Sequence, residues 1–234
     1  MSVFTSLIII LLAMLIQGFL ELGPGVFACF YHHALGKTSA KKADDQSLSF
    51  ILGTEICVAL VFLISYIIVT FFITRNGPFS PIFFWVMSGI FLVEAIATFF
   101  FYFRPGTKKS TELSLPRSLA KSLIYHAENT KNRSSTIALG LVTCALELIF
   151  TFPLYIIAST AIFYANTSMS FVFIIAYIII ATAPLFAIRT FFRTDHNLVE
   201  LQLIRIKKKL ATRIIVSASF LALSIATLII GFSL

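Results

Sequence analysis

The stretch ELGPGVFACFYHH, residues 21–33, holds the side chains of this chain that are best suited to chemistry. Glu21 and a Gly-Pro-Gly sequence directly follow an uncharged apolar run, and Cys29 and His33 come after them. A glutamate inside an apolar segment faces the protein interior, lines water, binds a cation or stays protonated. Proline frees a backbone carbonyl one turn earlier, and flanking glycines allow close approach of a helix or ligand. The stretch therefore predicts a functional break in a membrane helix.

A second stretch, ALELIFTFP at residues 145–153, again has Leu-Glu-Leu followed by proline. We predict that the two stretches together form a substrate or ion site. Its residues are Glu21, Gly23, Pro24, Gly25, Glu147 and Pro153. Glu55 and Glu94 are additional acids within apolar segments. The alternative is structural: protonated carboxyls that hydrogen-bond to neighbouring helices, and kinks that serve packing.

Cys29 and His33 are four residues apart, so they share one face of a helix. This spacing makes them candidate metal ligands, with Cys57 or Cys144 as further ligands. The alternative is that the cysteines are small packing residues and the histidines lie at the membrane interface. No cofactor is expected.

The composition places these residues in a membrane protein. Of 234 residues, 59% are hydrophobic, 12% are charged and 26 are phenylalanine, which is outside the range of soluble domains. Apolar runs of about 20 residues predict an all-α polytopic membrane protein that contacts the lipid bilayer. The predicted spans are Phe4–Tyr31, Leu48–Ile73, Pro81–Phe103, Thr136–Tyr164, Ser170–Ile188 and Ile214–Phe232. The first and fourth are long, and each contains a proline where we expect it to break.

The basic residues orient the chain. The loops 36–47, 104–135 and 189–213 contain 17 of the 18 Lys and Arg, so the net charge of +8 indicates cytoplasmic loops and not a nucleic-acid surface. We expect a prokaryotic plasma membrane protein with both termini outside. Segment 198–210 is predicted either as an amphipathic helix on the inner leaflet or as an extension of the last span.

Three spans, a long basic loop and three more spans suggest an internal repeat. We predict one membrane domain, 1–234, built from a repeat at 1–103, a basic linker at 104–135 and a second repeat at 136–234. The first span runs inward and the fourth outward, so the two units are inverted, as in many secondary transporters. In such folds the site lies where interrupted helices meet.

The arrangement resembles the CcdA/DsbD-type transmembrane domain of the cytochrome c biogenesis and thiol:disulfide interchange family, within the superfamily of the LysE-type exporters. The resemblance rests on GPGVFAC in the first span and ELIFTFP in the fourth. It implies six helices in two inverted three-helix repeats, with the first and fourth helices broken at proline. Gly25 and Phe150 occupy the positions of the family's two redox cysteines.

Without those thiols the exchange chemistry of the family cannot run in its usual form, because a thiolate is the nucleophile. We therefore predict a transporter-like protein, more a carrier than an enzyme, that moves a small solute, ion or proton between the repeats. The first alternative is an electron carrier that uses a shifted pair, Cys29 and Cys144, with a thiol-redox partner protein. The second alternative is a non-catalytic membrane assembly protein.

Overall fold

The computed structural model describes residues 3–19, 22–102, 122, 125–127, 129–130, 132–165, 170–195 and 198–233. Within these residues every regular element is a helix. The long helices are α1 (Val3–Phe19), α2 (Leu22–Lys37), α3 (Ala40–Asn76), α4 (Pro81–Ala97), α5 (Arg133–Ala165), α6 (Ser170–Asp195) and α7 (Leu198–Ser233). A π-helical stretch, Thr98–Tyr102, continues α4. Most of the predicted linker 104–135 lies outside the described residues.

The chain is an all-α polytopic membrane protein, as the sequence predicts. Helices α3, α4, α6 and α7 are each long and apolar enough to cross a membrane. The pair α1 and α2, and the two halves of α5, are bent spans, so the described residues provide up to six crossings. Helix α7 is continuous from Leu198, so segment 198–210 extends the last span and is not a separate helix.

Both bent spans bend one turn before a proline, which confirms the predicted interruptions. The axes of Val3–Phe19 and Pro24–Lys37 differ by 40°, and those of Arg133–Leu148 and Phe150–Ala165 differ by 81°. Proline lacks an N–H, and its ring clashes with the carbonyl four residues earlier. For Pro153 that position is 149, where α5 bends. Pro24 lies in the first turn of α2, directly after the interval between α1 and α2.

The helices pair in a symmetric pattern. The pair α1 and α2 packs against α3, α5, α6 and α7, and α5 packs against α1, α2, α3, α4 and α6. The remaining pairs are α3 with α6 and α4 with α7. If the first three spans (α1 with α2, α3 and α4) are exchanged in order for the last three (α5, α6 and α7), the same set of contacting pairs results. The contact of the first span with α3, for example, becomes the contact of α5 with α6. An inverted repeat has this property, so the pattern supports the division at 104–135, which stays a prediction.

Helices α3 and α5 approach each other closely at Gly53 and Gly140. A Cβ at Gly53 would lie 2.2 Å from the carbonyl oxygen of Ile137, and one at Gly140 would lie 2.3 Å from that of Phe50. No other residue type fits either position, because its Cβ would overlap the facing backbone. Glycines at such crossings are typical of membrane helices that pack closely.

Small side chains extend this contact along both helices. On α3 they recur every fourth residue at Ser49, Gly53 and Cys57, and on α5 they recur at Thr136, Gly140 and Cys144. All six are buried. The order of contacts is the same on both helices, from Asp45 and Arg133, 2.8 Å apart, to Cys57 and Cys144. Helices α3 and α5 are therefore parallel and begin on the same side of the membrane.

We predict that Gly53→Ala and Gly140→Ala destabilise the protein by about 1–3 kcal/mol each, the usual effect of overpacking a core. Gly89→Ala is the matched control, because Gly89 on α4 is exposed and a Cβ added there would meet nothing within 4 Å. Alanine favours helix over glycine, so this control is expected to be neutral or stabilising. Thermal unfolding of the purified proteins measures the difference, and equal melting temperatures for all three variants would contradict the close crossing.

Candidate functional site

A small cavity lies where the two bent spans meet α3 and α6. It has about 20 Å³ of space for a water-sized molecule, which is enough for one water or one small ion. Its walls come from α1, α2, α3, α5 and α6. The lining residues are Gln17, Gly18, Pro24, Thr54, Val58, Cys144, Glu147, Ala181 and Leu185. The structure thus brings Glu147 and Pro24, two of the predicted site residues, to one cavity.

Glu147 reaches the cavity from the first half of α5. Its side chain is buried, with 8% of the residue exposed, and it stands two residues before the bend at position 149. Thr151 donates its hydroxyl to the Glu147 carbonyl oxygen at 3.1 Å, which satisfies a backbone acceptor next to the bend. The carboxylate therefore lies next to the bend. A carboxylate at this depth of a membrane protein is a functional candidate on energetic grounds.

Gln17 faces the same cavity from α1 and was not among the predicted site residues. It is 6% exposed, and its Oε1 is buried without a hydrogen-bond partner in the described part of the chain. Burial of a carbonyl oxygen without a donor is unfavourable by about 1–3 kcal/mol. The sequence signal is present, because Gln17 is the one amide in an uncharged run, Val3 to Leu20.

Thr54 supplies a third oxygen. Its hydroxyl donates to the Phe50 carbonyl at 3.2 Å, one turn earlier on α3. Because the hydroxyl hydrogen is used in that bond, the lone pairs of the oxygen remain for a ligand. The cavity therefore combines a carboxylate, an amide carbonyl and a hydroxyl oxygen, all of which are acceptors.

The side chains of Cys144 and Cys57 are neighbours across the α3–α5 crossing, and Glu147 lies near both. The parallel crossing at Gly53 and Gly140 aligns the two cysteines one turn further along. The sequence prediction pairs Cys144 with Cys29 instead. Cys29 lies half-buried on α2 and does not line the cavity.

The other predicted residues lie at several places. Gly25 is buried on α2, while Pro153 is half-buried in the second half of α5 and does not line the cavity. Glu21 lies outside the described residues, and Gly23 is described as backbone of α2 alone. Their assignment to the site stays a prediction.

The two additional acids are outside the cavity. Glu55 is half-buried on α3, within hydrogen-bonding distance of Thr182 on α6. Glu94 lies on α4, and its Oε2 is buried without a partner among the residues that the structure describes. Neither residue lines the cavity, so of the three described acids within apolar helices only Glu147 is at the site.

Metal binding through Cys29 and His33 requires further ligands, since structural metal sites in proteins commonly have four. Among the described ranges, no three or more His, Cys, Asp or Glu side chains are arranged to hold a metal ion. Cys29 and His33 therefore remain a predicted pair of metal ligands, and the described residues offer no third ligand beside them.

An ion pair with additional hydrogen bonds lies at the end of the bundle where α3 and α5 begin. Arg189 of α6 binds Asp44 of α3 with two bonds, Nε to Oδ1 at 3.0 Å and Nη2 to Oδ2 at 2.8 Å. Arg189 Nε also donates to Ser47 at 3.1 Å, and the Tyr31 hydroxyl of α2 donates to Asp44 at 3.4 Å. Bidentate pairing fixes geometry as well as charge. This cluster joins α2, α3 and α6, and the sequence does not predict it.

Comparison of the chain with protein-family models, with curated proteins and with solved structures found no match. The resemblance to the CcdA/DsbD-type domain therefore stays a prediction from its two short motifs.

We predict that a mild oxidant forms a reducible link between Cys57 and Cys144, because these two thiols are in contact. The link should persist in Cys29→Ser, the matched control, and disappear in Cys57→Ser and Cys144→Ser. Peptide mapping by mass spectrometry without reductant identifies the linked residues. A link that depends on Cys29 and not on Cys57 would contradict the arrangement and favour the pair predicted from sequence.

Proposed function

We propose that this protein is a transporter-like carrier that binds a small monovalent cation between its two halves and moves it, alone or with a solute. One observation carries the proposal. Gln17, whose Oε1 has no partner among the described residues, and the buried Glu147 both line a single cavity between two bent spans. Buried acceptors that converge on one small space call for a cation or a donor to fill it.

The donor set suits such a cation. Hard cations take oxygen ligands from carboxylates, amide carbonyls and hydroxyls, and Glu147, Gln17 and Thr54 offer one of each. Pro24, in the first turn of α2, also lines this cavity.

Movement of the ion requires the site to open to each side in turn. The Asp44–Arg189 cluster is the closure on one side, because it joins three helices beyond the cavity, with side chains 27% and 17% exposed. Breaking this cluster would let α6 separate from α3 and open the cavity at that end. A bent span can pivot at its bend, so the two bends are the hinges of the proposed motion.

The membrane orientation belongs to the same proposal. The basic loops 36–47, 104–135 and 189–213 lie in the cytoplasm by the charge rule, which makes the Asp44–Arg189 cluster the inner closure. The parallel run of α3 and α5 supports this, since both helices begin next to a basic loop. The protein would then be in a plasma membrane, with both termini outside.

The contact of Cys57 with Cys144 favours a second candidate function, thiol-disulfide electron transfer. In that case the two thiols form a disulfide and release two protons and two electrons. A disulfide of a partner protein accepts the electrons and is reduced to two thiols. The test is activity of the thiol variants: Cys57→Ser abolishes this function but leaves cation binding in place, because Cys57 does not line the cavity.

Cation binding predicts stabilisation by the ion. Sodium or potassium chloride should raise the melting temperature of the purified protein above that in choline chloride of equal ionic strength, and the rise should grow with concentration. Glu147→Gln and Gln17→Leu should lose this response, since each removes an oxygen ligand. Glu55→Gln is the matched control and should retain it, because Glu55 does not line the cavity. A wild-type protein that responds equally to all three salts would contradict the proposal.

The inner closure predicts a local effect of breaking the ion pair. Arg189→Gln should increase amide hydrogen exchange at least about tenfold in residues 40–50 of α3 and 185–191 of α6, because the pair holds these ends together. Arg133→Gln removes a similar charge and the Asp45 ion pair, but that pair is exposed, at 71% and 43%, and contributes little. It should therefore leave exchange unchanged. Equal exchange in both variants would exclude Arg189 as the closure.

A further inference from the structure

A second cavity lies at the same end of the bundle as the Asp44–Arg189 cluster, separate from the cation site. It has about 310 Å³ of space and is formed by α2, the start of α3 and the residues Ala127, Asn129 and Thr130. This volume is at the lower end of the range for small-molecule sites. The proposed function does not use this cavity, and none of its lining residues lines the first one.

The lining of this cavity is basic. His33 and Lys37 come from α2 and Lys42 from α3, while Thr38 and Thr130 add hydroxyls. None of the described residues that line the cavity is acidic. The acids that follow Lys42 on α3, Asp44 and Asp45, are bound to Arg189 and Arg133. The two lysines are therefore not neutralised by these carboxylates.

His33 gives this cavity an internal group that requires a partner. Its Nε2 is buried, and no residue in the described part of the chain bonds to it. A ring nitrogen of histidine is always a donor or an acceptor, so it is unfavourable to bury one without a partner. Because the half-buried His33 lines the cavity, a ligand bound there can supply that partner. The unpaired nitrogen and the two lysines point to the same occupant, an anion with several oxygen atoms.

Helix α3 contributes to the same preference. It begins at Ala40, between the lining residues Thr38 and Lys42. The N-terminus of a long helix carries a partial positive charge and free N–H groups. With 37 residues, α3 is long enough for the full effect. The field of the helix therefore adds to that of the lysines.

We propose that this cavity binds a phosphate group at the inner surface of the membrane, through Lys37, Lys42 and His33. The phosphate can belong to the headgroup of an anionic phospholipid or to a soluble phosphate compound, and the recognition chemistry is the same for both. Lysine binds phosphate as a point charge, and the histidine and threonines complete the set of hydrogen bonds. The site would tie the first repeat to the membrane surface or to a cytoplasmic ligand.

The experiment measures binding of both phosphate sources to the full-length purified protein. One arm uses nanodiscs of phosphatidylcholine with or without phosphatidylglycerol and counts the retained phosphatidylglycerol by native mass spectrometry. The other arm titrates inorganic phosphate, with sulfate as the control anion, and follows the melting temperature. Retained lipid in the first arm, or a phosphate-specific rise in the second, is the expected result. Absence of both in the wild-type protein would overturn the proposal.

Adjacent lysines provide the matched variants. Lys42→Gln and Lys37→Gln each remove a lining charge and should weaken binding about tenfold, as expected for loss of a charge-assisted bond. Lys41→Gln removes the same charge one residue away, at an exposed position that does not line the cavity, and should change binding less than about twofold. His33→Phe should also weaken binding while preserving the melting temperature without ligand. Equal losses for Lys41→Gln and Lys42→Gln would show a diffuse charge effect and overturn the proposed site.

Discussion

The contact between the backbones of α3 and α5 at Gly53 and Gly140 determines the geometry of the rest of the structure. Because neither position has room for a Cβ, the two helices lie close enough for Cys57 and Cys144 to meet one turn further on. Glu147 follows Cys144 on the same helix and thereby shares a cavity with Thr54 of α3. The position of the carboxylate is thus a consequence of two missing side chains. Larger residues at this crossing would move the whole first half of α5 outward.

The two bends depend on a different constraint, the need to satisfy backbone groups in an apolar environment. Each proline leaves a carbonyl without an N–H donor, and in a lipid-facing position that carbonyl would be unfavourable. Next to the bends, Pro24 lines the cavity and Thr151 donates its hydroxyl to the carbonyl of Glu147. The site is therefore built from the features that a simple membrane helix avoids. This is a physical reason to expect the bends, and not the regular spans, to carry the function.

Much of the fold follows from the sequence, since span length, apolar composition and proline position act locally. The bends before Pro24 and Pro153 are predictable on that basis. The side-chain partners are not, because they depend on which helices cross and how closely. From the sequence, Cys29 and Cys144 are expected to pair, because both lie inward of the positions of the family's redox cysteines. In the structure the close α3–α5 crossing places Cys144 beside Cys57 instead. Gln17 is uncharged, so a search for charged residues within apolar spans does not find it. Its place at the cavity is evident only from the fold.

The central claim is that the cavity beside Glu147 opens to both sides of the membrane. Cys144 lines that cavity and is 2% exposed, so it reports opening directly. The measurement uses the variant Cys29→Ser with Cys57→Ser, in which Cys144 is the remaining thiol, in right-side-out and inside-out vesicles treated with a membrane-impermeant maleimide. The account predicts slow labelling from both faces and protection by sodium or potassium, with the protection lost in Glu147→Gln. Labelling from one face alone, or from neither, would contradict it.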